Sequence, residues 1–253
     1  MSVVFQTFRP DGTLQLDSTI PPFCFHSKAT VTTVSTTGFS PHWSNSSPSS
    51  ALIPMTYDAD ELIAVQMPTG YGYARYADLQ YPGSSTWYHI YHTDAPVGST
   101  VTYYKFVRGT DLATASHPVG LELFNEAGVR TYASSMRPAI ITGMASNVGT
   151  VTTMTAGRSY ASIAPSLAGH ERYYFDGSSA PIENDKGQII GWEYYGYSDS
   201  KLYGVRWNNS YTAELVGVSF SDMNISAGSP QPSYSEFFNI PISDVMYLDV
   251  TGL

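Results

Sequence analysis

One pattern occurs twice in this chain. Near the start the sequence reads Phe8-Arg9-Pro10-Asp11-Gly12-Thr13-Leu14-Gln15-Leu16-Asp17-Ser18, and near the middle Phe124-Asn125-Glu126-Ala127-Gly128-Val129-Arg130-Thr131-Tyr132-Ala133-Ser134. Phe8 corresponds to Phe124, Gly12 to Gly128, Leu16 to Tyr132, Ser18 to Ser134 and Pro22 to Pro138, every pair 116 positions apart (Phe8 to Phe124). Each copy has the form of a β-hairpin, with two alternating strands around a polar turn that closes on glycine. Glycine supplies the positive φ such a turn needs. A hairpin frame used twice organises a chain without giving it chemistry, which favours a structural or binding protein over an enzyme.

Composition agrees. Of 253 residues only 13% are charged, while 14% are aromatic, including 20 tyrosines. Low charge with abundant Tyr, Thr and Ser suits pleated sheets and surfaces that neighbours cover, since interface cores lose charge and gain aromatics. Thr/Val-rich or aromatic runs at 28–35, 51–55, 62–67, 71–76, 148–154, 201–207, 211–220 and 245–250 read as strands. Runs 86–92 and 101–107 read as a strand pair joined by Ala95-Pro96-Val97-Gly98. Arg172–Phe175 and Gln188–Tyr195 read as strands flanking a polar stretch, 176–187. Residues 37–50 read as a loop, the tail 229–241 is Pro/Ser-rich, and Arg158–Leu167 reads as a short helix or irregular segment. Sustained helical periodicity is scarce. The expected fold is all-β, two sandwich-like or β-rich halves that each open with a similar hairpin: an N-terminal β domain, 1–117, and a C-terminal β domain, 118–253.

The net charge of −9, with 12 scattered basic residues, argues against a nucleic-acid groove and against attraction to anionic membranes. No apolar run is long enough to insert into a membrane. The first 25 residues lack a secretory pattern, so the expectation is synthesis in a cytoplasm, and the sequons at Asn45, Asn208 and Asn224 carry little weight. The single cysteine, Cys24, forms no internal disulfide and reads as a small buried residue.

Reactive constellations are weak. His89-x-x-His92 has a metal-like spacing, but on a strand residues three apart face opposite ways, so no metal and no cofactor is assigned. Asp58-Ala59-Asp60-Glu61 lacks an EF-hand frame and reads as a solvated loop cluster. Acids at Glu171, Asp176, Glu183, Asp185, Glu193 and Asp199 leave room for a glycosidase pair, but several fall in turn-like segments, and no catalytic residue is assigned. The best binding candidate is the aromatic stripe Trp192, Tyr194, Tyr195, Tyr197, Tyr203 and Trp207. Two readings of it stand together: an exposed surface for protein or glycan, and cross-strand core packing.

The text Phe8–Ser18, with its Asp-Gly turn and Leu-Asp-Ser ending, resembles the opening of small virion proteins of tailed bacteriophages. Gly120–Gly128, with Ser134 and Arg137-Pro138, resembles their second signature, and Tyr103-Tyr104-Lys105-Phe106 stands where they carry an aromatic strand. The resemblance covers about the first 145 residues. It implies a non-enzymatic minor tail or tail-tip protein, located in the virion tail and made in the host bacterial cytoplasm. Its partners would be other phage tail proteins and further copies of itself. The hundred or so residues after Gly143 exceed the short version and would form a fibre-docking module or a reader of a host surface glycan or receptor. A glycan-degrading enzyme is the third alternative.

Overall fold

The computed structural model describes residues 6–8, 14–17, 20–35, 49–55, 60–80, 85–112, 120–164, 169–227, 234–240 and 244–253. Within 6–8, 14–17, 77, 79–80, 169–178, 193–201, 219–227 and 234–240 it gives the course of the chain only. Of the expected loop at 37–50, residues 37–48 lie outside the described residues, as does the turn at 9–13, while Ser49 and Ser50 instead open a strand.

Every regular element among the described residues is a strand. The first half holds β1 (Gln6–Phe8), β2 (Leu14–Asp17), β3 (Phe23–Thr32), β4 (Val34–Ser35), β5 (Ser49–Pro54), β6 (Glu61–Gln66), β7 (Gly72–Gln80), β8 (Trp87–Thr93) and β9 (Thr100–Arg108). The second holds β10 (Glu122–Phe124), β11 (Arg130–Ala133), β12 (Ile140–Ala145), β13 (Val151–Thr153), β14 (Tyr160–Ile163) and β15 (Gly169–Glu183). It ends with β16 (Ile189–Asn209), β17 (Thr212–Ala227), β18 (Tyr234–Ile240) and β19 (Val245–Asp249). The chain is all-β.

Two sheets face each other. The first runs β12-β19-β14-β6-β9-β3, the second β13-β17-β16-β7-β8-β5-β4. The expected division at 117/118 does not separate them, because both sheets interleave strands from the two sides of that boundary. Long-range pairing, invisible to local pattern, decides this. Ile63, Val65, Val101, Tyr103 and Tyr247 of the first sheet pack against Ile53, Tyr73, Tyr91, Val205 and Leu215 of the second. On its other face the first sheet buries Ala64, Tyr104, Phe106, Ala161, Ile163 and Leu248. A strand covered on both sides loses the alternation of a half-exposed one. This is why Tyr160–Ile163, buried throughout, is a central strand and not the helix or irregular segment its sequence offers.

The first sheet curls until its edges meet. Cys24 of β3 forms a bridge with Pro138, just ahead of β12. Phe25 N–H donates to the carbonyl of Arg137 (2.7 Å), and Ala139 N–H donates to that of Phe23 (2.8 Å), its own counterpart in the repeat. The segments leaving the two copies thus run antiparallel against each other.

The repeat itself is structural. β1 and β2 pair as Gln6–Asp17, Thr7–Leu16 and Phe8–Leu14, while β10 and β11 pair as Glu122–Ala133, Leu123–Tyr132 and Phe124–Arg130, with the register slip at the same step. A third hairpin, not recognised in the sequence, sits 59 positions further on (Phe124 to Glu183). It pairs Pro181–Trp192, Ile182–Gly191 and Glu183–Ile189, again slipping at the equivalent step. Gly128 and Gly187 hold φ of 74° and 71°, the left-handed position of a type I turn closed by a glycine bulge. Asn125 and Asn184 begin these two turns and accept backbone N–H bonds on their side-chain oxygens.

Two further expectations are corrected. β8 and β9 do not pair: β8 lies between β5 and β7, β9 between β6 and β3. Pro96 has no N–H to give a ladder. The turn after it bonds elsewhere, Gly98 N–H to Thr33 O and Thr33 N–H to Ser99 O, so the chain crosses between sheets here. The polar stretch 176–187 is mostly strand: β15 runs through to Glu183, and only 184–188 turn. A register slip between Phe175 and Ser179 absorbs the turn-like Asp-Gly-Ser. The Pro/Ser-rich tail contains β18.

Candidate functional site: the projecting arm

β16 changes neighbours along its length. At Val205 and Arg206 it pairs with β7. From Leu202 back to Ile189 it pairs instead with β15 on that side, and with β17 on the other as far as Tyr194. β18 completes an arm ordered β18-β15-β16-β17. The handover occurs at Gly204, where a Cβ would lie 1.9 Å from the Tyr73 carbonyl oxygen; only glycine lets the two backbones approach so closely. At strand rise, residues 189–202 extend for about 43 Å.

The end of this arm is apolar and uncovered. Ile182, Ile189, Ile190 and Trp192 are 40%, 57%, 66% and 45% exposed. Ile182 and Gly191 are cross-strand partners, and Glu183 and Ile189 close the turn. Isolated exposed aliphatics are ordinary, but several large ones together at one tip mark a contact surface.

The aromatic stripe divides. Trp192 is at the tip. Tyr194, Tyr195 and Tyr197 lie along the arm, and their side chains fall outside the described residues. Tyr203 is half-buried in the handover region. Trp207 is corrected from surface to core: it is 2% exposed and meets Tyr247 edge to face, centroids 5.9 Å apart. It belongs to the sandwich end of β16, where the second sheet covers the first. The isoleucines, which sequence reasoning passed over, carry most of the tip. The Asn-x-x-Gly spacing shared by Asn125–Gly128 and Asn184–Gly187 was the signal that locates the turn and therefore them.

The charged and reactive residues are employed in the fold. Glu61, expected in a solvated loop, has a buried side chain on β6, where it accepts a bond from Lys105 Nζ and meets His89 Nε2, both at 3.0 Å. His89 Nδ1 lies 2.8 Å from Asp78 Oδ1, and Arg75 donates to Asp78 (2.7 Å). The network joins the two sheets, and Lys105 also donates to Pro54 O (2.5 Å). Asp60 pairs with Arg108; Asp58 lies outside the described residues. His92 points the other way from His89, bonds Ser50 Oγ at 2.7 Å and lies against Tyr76. Burial lowers its pKa to about 3. Burial also pushes the Cys24 thiol up to about 11, which leaves it protonated and unreactive at neutral pH. Of the acids considered for glycoside cleavage, Glu183 and Asp185 sit exposed or partly exposed at the arm turn, and the side chains of Glu171, Asp176, Glu193 and Asp199 lie outside the described residues.

The fold and site together define a two-sheet β protein with a projecting, apolar-tipped hairpin arm. Compared with protein-family models, curated proteins and solved structures, the chain matches none.

Proposed function

We propose that this chain is a structural subunit of a tailed-bacteriophage virion, at the tail tip, baseplate or fibre attachment, which docks to other tail subunits through its arm. The observation that carries the reading is the arm tip, where Ile182, Ile189, Ile190 and Trp192 stand exposed together. A surface of this kind is stabilised when a partner removes it from water, at about 25 cal/mol per Å² of apolar area. Support also comes from the resemblance at Phe8–Ser18 and Gly120–Pro138. Low charge suits repeated subunit contacts, in which further copies of the same chain take part. The reading assigns no reaction and no cofactor to the protein.

The test is immunogold labelling of gradient-purified particles of the phage that carries the gene, with antibody raised against the isolated chain. Label at the distal tail or at the fibre bases is expected. A chain abundant in infected cells but missing from the particles overturns the reading.

A further inference from the structure

We propose that the cleft beside the turn after β6, between β9 and the end of β16, binds one ring of a neutral saccharide. The cleft encloses about 240 Å³ and opens to solvent on one side. It is smaller than the ~300–1,000 Å³ of sites for drug-sized ligands. It therefore suits a single ring, whose neighbours in a longer glycan would leave through the open side.

Among the described residues, no ionisable side chain lines this cleft. A phosphate, carboxylate or ammonium group would lose water there without gaining a counter-charge. The polar groups present are amides and hydroxyls, and their roles are partly fixed. Tyr104 Oη donates to Gln66 Oε1 (3.2 Å), and Tyr211 N–H donates to Asn209 Oδ1 (2.9 Å). Both amide oxygens are thus engaged within the fold, which leaves their NH₂ groups for a ligand. Trp207 borders this wall at 2% exposure with its indole N–H enclosed, so it serves as a nearby reporter and not as a contact group. Thr100, Thr102 and Ser210 add hydroxyls that both donate and accept. A donor-rich, uncharged wall of amides and hydroxyls matches a ring of hydroxyl oxygens. This places saccharide recognition in the cleft and not on the exposed aromatics of the arm.

The test is a titration of the ¹⁵N-labelled full chain, followed through its indole and backbone N–H signals. N-acetylglucosamine, glucose and galactose are added separately, with sodium phosphate as the charged probe. At least one sugar is expected to shift the Trp207 indole signal and the Thr69 and Asn209 amides saturably, while phosphate leaves them in place. Thr102→Val, which keeps the side-chain shape, and Asn209→Ala should each weaken that sugar about tenfold with the Trp192 signal unchanged. The proposal is overturned if none of the three sugars gives a saturable shift, if Trp192 responds while Trp207 does not, if phosphate shifts the same signals equally, or if Thr102→Val binds as wild type does. A free sugar and a glycan terminus share this chemistry. Repeating the titration with the disaccharide of whichever sugar binds separates them, since a glycan terminus should bind the longer ligand at least as well. The proposal is independent of arm docking, so the particle labelling and this titration can fail separately.

Discussion

Tyr73 reaches across the sandwich to Ser162. Its hydroxyl lies 2.6 Å from Ser162 Oγ and 2.9 Å from the Ser162 carbonyl oxygen, and both residues are fully buried. Tyr73 belongs to β7 of the second sheet, Ser162 to β14 of the first, and they come from opposite halves of the chain. Burial raises the phenol well above its usual pKa, so it stays a neutral donor. Tyr73→Phe removes the donor and leaves Ser162 unsatisfied, at a cost of about 1–3 kcal/mol. Urea unfolding should show a lower midpoint with an unchanged slope. Combined with Ser162→Ala, the two losses should fall short of additivity.

The network around Glu61 makes a sharper demand. Its carboxylate contacts both Lys105 and His89, all three being at most 9% exposed at the side chain. Glu61→Gln keeps the shape and removes the charge, leaving the Lys105 ammonium between the sheets without its carboxylate. Breaking a buried pair from one side costs about 3–5 kcal/mol. Thermal and urea unfolding should show a loss of that order. Glu61→Gln with Lys105→Met should recover part of it, because the pair is then removed together.

These two contacts show what local sequence reading reaches. Strands with one exposed face, such as β11 with its alternating burial, announce themselves by period. β14 does not, because both its faces are covered. The repeat at Phe8 and Phe124 was legible as a hairpin with a glycine turn, since turn chemistry is local, but its register slip was not. Its third occurrence at Asn184 was hidden because its strands carry isoleucine and proline where the other two differ. Which strands share a sheet was not legible, as in the crossing between Thr93 and Thr100, because pairing between distant segments leaves no trace in either one. For the same reason Glu61 looked like a loop acid, and Trp207, read with its exposed neighbour Trp192, turned out to lie at the buried end of the same strand.

His92 predicts a pH dependence. In the unfolded chain its imidazole takes up a proton as pH falls through about 6.5, whereas in the folded chain it does so only near about 3. The folded-state value is lowered, so this group's contribution is fully present above pH 6.5 and is lost progressively as pH falls from there toward 3. The slope from one proton is about 1.4 kcal/mol per pH unit within that window. Stability measured between pH 6.5 and 5, above most carboxylate titration, should fall with acid in the wild type. In His92→Asn the fall should be shallower by about that slope, whatever the substitution does to absolute stability.

The arm tip predicts a separation of stability from association. Ile190 is 66% exposed and Ile189 57%, so neither contributes much to the fold. Replacing both by serine should change the unfolding free energy by no more than about 0.5 kcal/mol each. Gly187 is the contrasting position. Its φ of 71° is strained for any other non-polar residue, and Gly187→Val should loosen the turn itself. If the tip docks to a tail subunit, Ile189→Ser with Ile190→Ser should abolish incorporation into particles while leaving the circular dichroism and melting of the isolated chain intact. Incorporation of that double variant at the wild-type level would show that the tip's apolar side chains are not the docking surface.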